Sequence, residues 1–457
     1  MADRPTAVMW FRRDLRLADN PALCAAAADG AVLPLFVLDD ALWRPAGPSR
    51  RAYLAASLRS LDASLRQRQT RLSVVHGDPV RRVVEAARAV GATRVHVAAD
   101  YGPYGARRDA AVEEALAEHD LELVRTGSPY AVAPGRVRNG SGEPYKVFTP
   151  FSRAWAAHGW RDPVEAPTGS GWVELPESRT TGIPDVALPD GLELPEAGER
   201  AALERWTEFR ERLGDYADHR DLPAIEGTSR MSAHLKWGEI HPRTMLADLA
   251  GPVAHGSGSA QTYRSELAWR EFYADVLHAR PETAREYLRG EYARMQYDEP
   301  GRAFERWQEG RTGFPIVDAG MRQLRATGWM HNRVRMIVAS FLVKDLHVEW
   351  QHGARHFLHW LVDGDLASNN HGWQWTAGSG TDAAPFFRVF NPTSQGRKFD
   401  PKGAYVRRWV EELADPGQVP DPHDPDADTR SLVGYPRPMV DHGAERKEAL
   451  ARWEAIR

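Results

Sequence analysis

At 457 residues, with 59 basic against 63 acidic side chains and a formal net charge of -4, the chain is too long for one small core. It is also too acidic to bind polyanions over its whole surface, so any nucleic-acid contact must be a local patch. A single cysteine, Cys24, excludes an intramolecular disulfide and a cysteine-based metal cluster.

From the N-terminus, Arg12 and Arg13 follow a short apolar run, the reverse of a signal peptide. No later apolar stretch is long enough to span a bilayer, so a soluble cytoplasmic protein without membrane contact is expected. Residues 7–11, 32–37, 72–75, 95–98 and 121–124 read as strands, and 49–68, 80–90 and 106–118 as helices. Repeated strand–helix units predict a Rossmann-like α/β domain over 1–130, with a parallel sheet and right-handed crossovers. No G-x-G-x-x-G follows the first strand, where Arg12-Arg-Asp-Leu-Arg16 stands, and no phosphate-binding G-x-x-x-x-G-K occurs. Ligands of such sheets sit at the strand carboxyl ends, which here offer Phe36, Leu38, Asp100 and the turn Gly102-Pro-Tyr-Gly105. Position alone leaves ordinary turn chemistry open there.

Residues 131–198 are rich in Pro, Gly and Ser, including Gly169-Ser-Gly171, and predict an interdomain connector wrapping the surface. From 199 to 457 the periodicity turns helical, with 199–213, 233–249, 263–277, 314–327, 332–346 and 354–361 the clearest helices of an all-α domain. Ten of the sixteen tryptophans lie from Trp237 onward, which points to planar or redox-active work in this half.

Several groupings in the helical half carry chemistry. Thr228-Ser-Arg-Met-Ser232 precedes a predicted helix start and suits a phosphate, or simple capping by Ser232. Tyr263, Glu266, Trp269, Arg270 and Tyr273 share one broad helix face, either core or a pocket wall, and a carboxylate buried among aromatics needs a partner or a raised pKa. Asn332, Arg333 and Met336 offer an amide, a guanidinium and a thioether on one helix. Asp363-Gly-Asp-Leu-Ala-Ser-Asn-Asn-His-Gly-Trp-Gln-Trp375 crowds carboxylates, amides and tryptophans into what reads as a Gly-interrupted turn. Arg388, Arg397, Lys398, Lys402, Arg407 and Arg408, interleaved with Phe386, Phe387 and Phe390 against only Asp382 and Asp400, fit a phosphate-tracking groove or a solvated charge run.

The stretch 363–375, preceded by Gly328-Trp-Met-His-Asn-Arg-Val-Arg-Met336 and followed by Gly380-Thr-Asp-Ala-Ala-Pro-Phe-Phe-Arg-Val-Phe-Asn-Pro392, closely resembles the photolyase/cryptochrome family. The likeness is to its class I photolyases, which repair cyclobutane pyrimidine dimers, and it covers nearly all of the chain. The resemblance implies FAD, with its phosphates held by Thr228, Ser229, Arg230, Met231 and Ser232 and further contacts from Tyr216, Arg335, Asp363, Gly364, Asp365 and Asn369. Asn369 matches the residue facing flavin N5, where an amide favours the reduced anionic flavin and an Asp marks many plant cryptochromes. Trp269 and Trp375 are implied to sandwich the flipped-out dimer, with Glu266 on its base edge and Asn332 and Met336 lining the pocket. Glu266 then donates a proton or stabilises a developing radical anion.

Trp373 and Trp350 match the first two members of the family's electron-transfer chain, and Tyr297 holds the third position. Arg220, Arg333, Arg388, Gln395, Arg397 and Lys398 are the implied DNA contacts, with UV-damaged DNA as partner and a monomer as the expected state. Extrusion of the lesion is the general behaviour of photolyases. Phe36, Leu38, Arg50, Asp100 and Lys236 match the antenna site of the subgroup that binds 8-hydroxy-5-deazaflavin, with a folate (methenyltetrahydrofolate) or FMN as alternatives. Gly102 departs from that subgroup, which has an acidic residue there. The implied reaction is transfer of an electron from photoexcited reduced FAD to the dimer, cleavage of the cyclobutane bonds and return of the electron.

Two rivals follow from the residues. His352, His356, His359 and Asp363 recur on one helix face and could seed a metalloenzyme site, although seven residues already span about 10.5 Å of axis, too far for one ion. A cryptochrome-like light sensor would keep the flavin without repair. Against it, no long signalling tail follows the Asp/Pro-rich segment 415–428, and His331-Asn332 differs from the paired histidines of the (6-4) branch.

Overall fold

The computed structural model describes residues 5–168, 171–251, 258–381 and 387–457. Gly169 and Ser170 of the connector, and Asp382 to Phe386 of the basic–aromatic stretch, lie outside the described residues. The chain forms two compact units that interleave in sequence: Met1–Pro189, Pro195–Gly214 and Ser229–Pro281 make the first, and Asp190–Leu194, Asp215–Thr228 and Glu282–Arg457 the second. Compactness thus groups residues 229–281 with the sheet, whereas sequence order places them in the helical domain.

In the first unit, β1 (Thr6–Phe11), β2 (Ala31–Leu38), β3 (Ser73–His76), β4 (Ala92–Val97) and β5 (Glu122–Arg125) form one parallel sheet in the order β3-β2-β1-β4-β5. The central strands read as continuous apolar runs because both faces are covered. Val8, Trp10, Leu33, Leu35 and Val95 fill one face, and Ala7, Met9, Phe11, Val32 and Phe36 the other. Helices α1 (Pro21–Asp29), α2 (Pro48–Arg66), α3 (Pro79–Ala89) and α4 (Pro103–Ala117) all open on proline, whose missing N–H costs nothing in a first turn. The sequence pattern hides α1 because its alanine run carries no apolar–polar period.

The connector is more structured than its composition predicts. It contains α5 (Phe148–His158), whose Phe151 and Trp155 are buried, and Val32 bridges to Trp172. The single helix expected over 233–249 is two, α6 (Ser232–Trp237) and α7 (Pro242–Ala250). Gly238 breaks it at φ +68, where an added Cβ would stand 1.9 Å from the Arg13 carbonyl oxygen, and Pro242 starts the second piece.

Helix α8 (Gly258–Ala279) is tied to the connector by two buried carboxylates. Glu271 accepts from the Ala131 and Val132 N–H groups at 2.5 and 3.0 Å and from Trp155 Nε1 at 2.6 Å. Asp275 accepts from the Gly135 N–H at 2.6 Å.

In the second unit, α9 (Pro315–Thr327), α10 (Asn332–Lys344), α11 (Trp350–Trp360), α12 (Leu366–Ala377) and α13 (Pro392–Phe399) surround a core that includes Trp307, Phe341, Trp350, Phe357 and Trp373. The expected turn at 363–375 is largely helix. The Asp365 carboxylate accepts from the Ser368 N–H at 3.0 Å, an N-cap that starts α12. Its buried side carries Asn370, His371 and Gln374, so no apolar 3.6-residue period marks it in the sequence.

Gly353 lets Trp373 lie on α11: a Cβ there would meet Trp373 Cη2 at 2.2 Å and Leu342 Cδ2 at 2.6 Å. Among the described residues no helix is long and apolar enough to cross a membrane. Gly353→Ala should lower stability by about 1–3 kcal/mol through overpacking, read as a lower denaturant midpoint for tryptophan fluorescence.

Candidate functional site

At the strand carboxyl ends of the first unit, three arginines and two aspartates form a dry ionic cluster. Arg12 donates to the Asp109 carboxylate and the Ala98 carbonyl, and Arg108 reaches Asp109 at 2.8 Å and Asp100 at 3.2 Å. Burial works to raise the Asp100 pKa, but Arg13, Arg12, Arg108 and the Gly102 N–H together hold it below the usual carboxylate range. Gly105 permits this approach, since a Cβ would stand 2.2 Å from the Asp100 carboxylate. Phe36 and Leu38 are buried at the end of β2. Arg50 on α2 has a buried Nε without a hydrogen-bond partner, and burial pushes its pKa down. The Lys236 ammonium stands 5.2 Å over the Trp237 ring.

In the loop leading to α6, Ser229 rather than Ser232 makes the hydroxyl contacts. Its Oγ lies 2.8 Å from the Tyr263 hydroxyl and accepts from the Met231 N–H at 3.3 Å. Arg230 adopts φ +54, a left-handed turn, and Met231 precedes the helix without a side-chain cap. Ser232 is exposed, so the capping role open to it in sequence is not taken.

On α8, Trp269 stacks face to face on Phe148 of α5 at 3.8 Å and 7°, with Phe272 edge-on at 5.7 Å. Phe148 lies in the segment Tyr145-Lys-Val-Phe-Thr-Pro-Phe151, which resembles the family's but carries no chemistry legible in the sequence, although Tyr145, Phe148 and Phe151 recur at helical spacing. The expected buried carboxylate is misplaced by the sequence reading: Glu266 is half-buried, while Glu271 and Asp275 are buried and desolvation pushes both pKa values up.

In the second unit, the Arg335 guanidinium donates to Asp363 at 2.8 Å and to the Met330 carbonyl at 2.8 Å. The other Asp363 oxygen is buried without a partner, an acceptor aimed at something the protein does not supply. Asn369 donates from Nδ2 to the Ala354 carbonyl at 3.2 Å and to Asn370 Oδ1 at 2.8 Å, which leaves its own Oδ1 as acceptor. Asn332 is exposed at the start of α10. Arg333 pairs with Asp221 at 2.9 Å, lies 4.4 Å over the Phe399 ring and touches Met336 Sδ at 3.7 Å.

Trp375 borders a cleft of about 450 Å³ lined also by Arg289, Arg294, Lys344, Phe387 and Arg388, with the Arg388 guanidinium 5.5 Å over its ring. Arg220 stands 5.5 Å over Tyr216, Lys398 lies 5.0 Å over Phe399, and Gln395 sits half-buried on α13. The basic run is less uniform than its sequence suggests. Arg397 pairs with Asp421 at 2.7 Å, and Arg407 donates to the Leu413, Val419 and Pro420 carbonyls, a folding role.

Trp373 and Trp350 are buried, and neither indole N–H has a hydrogen-bond partner. Trp373 meets Phe357 at 4.9 Å. Tyr297 stacks on Tyr287 at 6.2 Å, and Tyr287 in turn meets Trp350 edge-on at 6.2 Å. The histidine face is engaged in other hydrogen bonds. His356 hydrogen-bonds Gln308 at 3.0 Å, His352 bonds Arg355 at 3.0 Å, and among the described residues no group of three metal-ligating side chains is assembled.

Residues 7–168 match the family model described as DNA photolyase, and residues 263–455 match the FAD binding domain of DNA photolyase. A deoxyribodipyrimidine photo-lyase of Escherichia coli K12 is 40% identical over 473 aligned residues, covering 99% of each chain. The crystal structure of a bacterial class III photolyase from Agrobacterium tumefaciens has a TM-score of 0.92 at 36% identity, covering 100% of this chain and 98% of that one. An archaeal photolyase from Sulfolobus tokodaii, solved with two FAD molecules, has a TM-score of 0.83 at 30% identity, covering 98% of this chain and 100% of that one.

His371 on the buried side of α12 makes a pH test of the second unit. Desolvation lowers its pKa to about 4, so the folded ring stays neutral while the unfolded ring takes a proton near pH 6.5. Stability present above pH 6.5 is therefore lost as pH falls toward 4, by about 3 kcal/mol in full. Denaturation midpoints measured across this window should fall less steeply in His371→Gln than in the parent chain.

Proposed function

This chain belongs to the DNA photolyase family, and from that premise we infer that it is a deoxyribodipyrimidine photo-lyase, a light-driven enzyme that splits cyclobutane pyrimidine dimers in UV-damaged DNA. Full-length identity of 40% to an enzyme of that name carries the assignment. Bound FAD supplies, under light, the electron that opens the dimer and takes it back.

What remains for the protein is to hold, orient and exclude. The residues fit a flavin. The unpartnered Asp363 oxygen offers a buried acceptor, Arg335 fixes the carboxylate that carries it, and Asn369 keeps an amide oxygen free. Ser229, Arg230 and Met231 bring a hydroxyl, a cation and backbone N–H groups to one left-handed turn suited to phosphate oxygens, flanked by Thr228 and Ser232. We assign Tyr216, Gly364 and Asp365 to the same cofactor by family resemblance.

For the lesion, Trp269 and Trp375 are the proposed stacking faces. Phe148 fixes the Trp269 ring plane before substrate arrives, which lowers the ordering cost of binding. Glu266 is the proposed hydrogen-bond partner of a base carbonyl, half-buried and therefore able to reach it. Asn332 and Met336 line the pocket in this reading. Arg220, Arg333, Arg388, Gln395 and Lys398 meet the phosphates or steer the strand, with Arg397 needing to leave Asp421 to do so.

A second, antenna chromophore is proposed in the sheet unit, with 8-hydroxy-5-deazaflavin favoured over a folate or FMN. The buried, unpartnered Arg50 Nε suits a polar edge on such a ligand. Asp100, engaged by Arg108 and the Gly102 N–H, would act by holding that end of the sheet. Phe36, Leu38 and Lys236 complete the assignment. We expect a cytoplasmic monomer.

Binding to a dimer-bearing single-stranded oligonucleotide in the dark tests the lesion residues. Trp269→Ala should weaken it by about 1–3 kcal/mol relative to undamaged strand, and equal losses on both strands would remove Trp269 from the lesion. Glu266→Gln should keep that affinity and lower the light-driven yield several-fold; an unchanged yield would exclude an acidic proton from Glu266. Arg50→Ala should lose the second chromophore's absorption band on purification while retaining FAD.

A further inference from the structure

We propose that Tyr287 is the terminal electron relay of the second unit, lying between Trp350 and Tyr297, and that Glu349 receives its proton. The inference rests on the route through Trp373 and Trp350 that the family resemblance implies and extends it to two residues that the resemblance does not single out. Ring contacts carry it. Trp350 meets Tyr287 edge-on at 6.2 Å and 80°, and Tyr287 stacks on Tyr297 at 6.2 Å and 13°. Tyr287 is 7% exposed, and its hydroxyl donates to Glu349 Oε1 at 2.8 Å. Glu349 is the residue before Trp350, at the N-cap of α11, and makes no side-chain cap bond there. Its carboxylate serves the phenol instead.

The hydrogen-bond pattern explains why the hole should stop at this pair. Neither Trp373 nor Trp350 has an acceptor for its indole N–H, so an oxidised indole has no local base and stays a cation that passes its charge onward. Tyr287 has the base its neighbours lack. Burial, with Tyr297 and Glu349 close by, pushes the phenol's pKa far above its usual range, so the ring cannot wait as a phenolate and must release proton and electron together.

With oxidised FAD bound and illuminated, Trp350 would lose one electron by way of Trp373 and be left as a radical cation. Tyr287 returns one electron to Trp350, which becomes neutral again. The phenol O–H bond breaks, the proton passes to the Glu349 carboxylate to give the acid, and a neutral tyrosyl radical remains. A soluble thiol then donates a hydrogen atom to that radical, and Glu349 releases its proton to solvent.

Transient absorption and electron paramagnetic resonance on the FAD-loaded protein, with the flavin oxidised at the start, test the assignment. The parent chain should show a neutral tyrosyl signature whose formation slows in deuterated solvent. Tyr287→Phe should leave the hole on tryptophan and cut the yield of lasting photoreduction about tenfold or more, and Glu349→Gln should slow tyrosyl formation by a comparable factor and abolish the isotope effect. Tyr297→Phe should retain the tyrosyl signal. Flavin absorption and thermal melts confirm that each variant is folded; if Tyr287→Phe is not, Glu349→Gln alone decides. An undiminished tyrosyl signal in Tyr287→Phe, or an unaltered isotope effect in Glu349→Gln, would overturn the proposal. Trp350→Phe separates the two levels: undiminished photoreduction there would overturn the tryptophan route itself, whereas its loss there with no effect of Tyr287→Phe would overturn only the role of Tyr287.

Discussion

A helix whose buried side carries Asn370, His371 and Gln374 can enter a dry interior only if those groups find partners, and α12 finds them on one backbone segment. Gln374 Nε2 donates to the Thr283 and Glu286 carbonyls at 3.1 and 3.2 Å, its Oε1 accepts the Leu288 N–H at 2.7 Å, and Asn370 donates to the Ala284 carbonyl at 2.7 Å. Each unmade bond would cost about 1–3 kcal/mol, so segment and helix are fixed to each other in one register. Because of that clamp, the same segment presents Tyr287 to Trp350, and the same helix presents Asn369, Trp373 and Trp375 in fixed directions. The register of α12 in the second unit depends on this polar clamp.

The first unit uses the same device with charge. Glu271 and Asp275 accept only from backbone and indole N–H groups, so they hold residues 131–135 and Trp155 against α8. Burial raises both pKa values, yet the four donors offset part of that cost. The half-buried side of α8 is left for Glu266 and for Trp269, whose ring plane Phe148 sets.

Legibility in the sequence followed how local each signal is. The central strands β1 and β2 could be read because a sheet covered on both faces demands unbroken apolar runs. Helix α12 could not, since a buried polar face erases the very period by which helices are recognised. The break at Gly238 was invisible because its cause is the Arg13 carbonyl, distant in sequence. Family resemblance supplied the roles proposed for Asn369, Trp373 and Trp350, and it assigned none to Phe148 or Tyr287. Those two matter through ring contacts that only the folded chain creates.

The central claim is direct reversal of a dimer by light, and one measurement addresses it. Anaerobic protein with reduced FAD is mixed with an oligonucleotide holding one cyclobutane dimer, and intact pyrimidines are counted after blue light and after an equal time in the dark. The account predicts restoration in the light, none in the dark, and no strand cleavage or net flavin oxidation. Equal restoration in both, or none in the light with reduced FAD still bound, would contradict it.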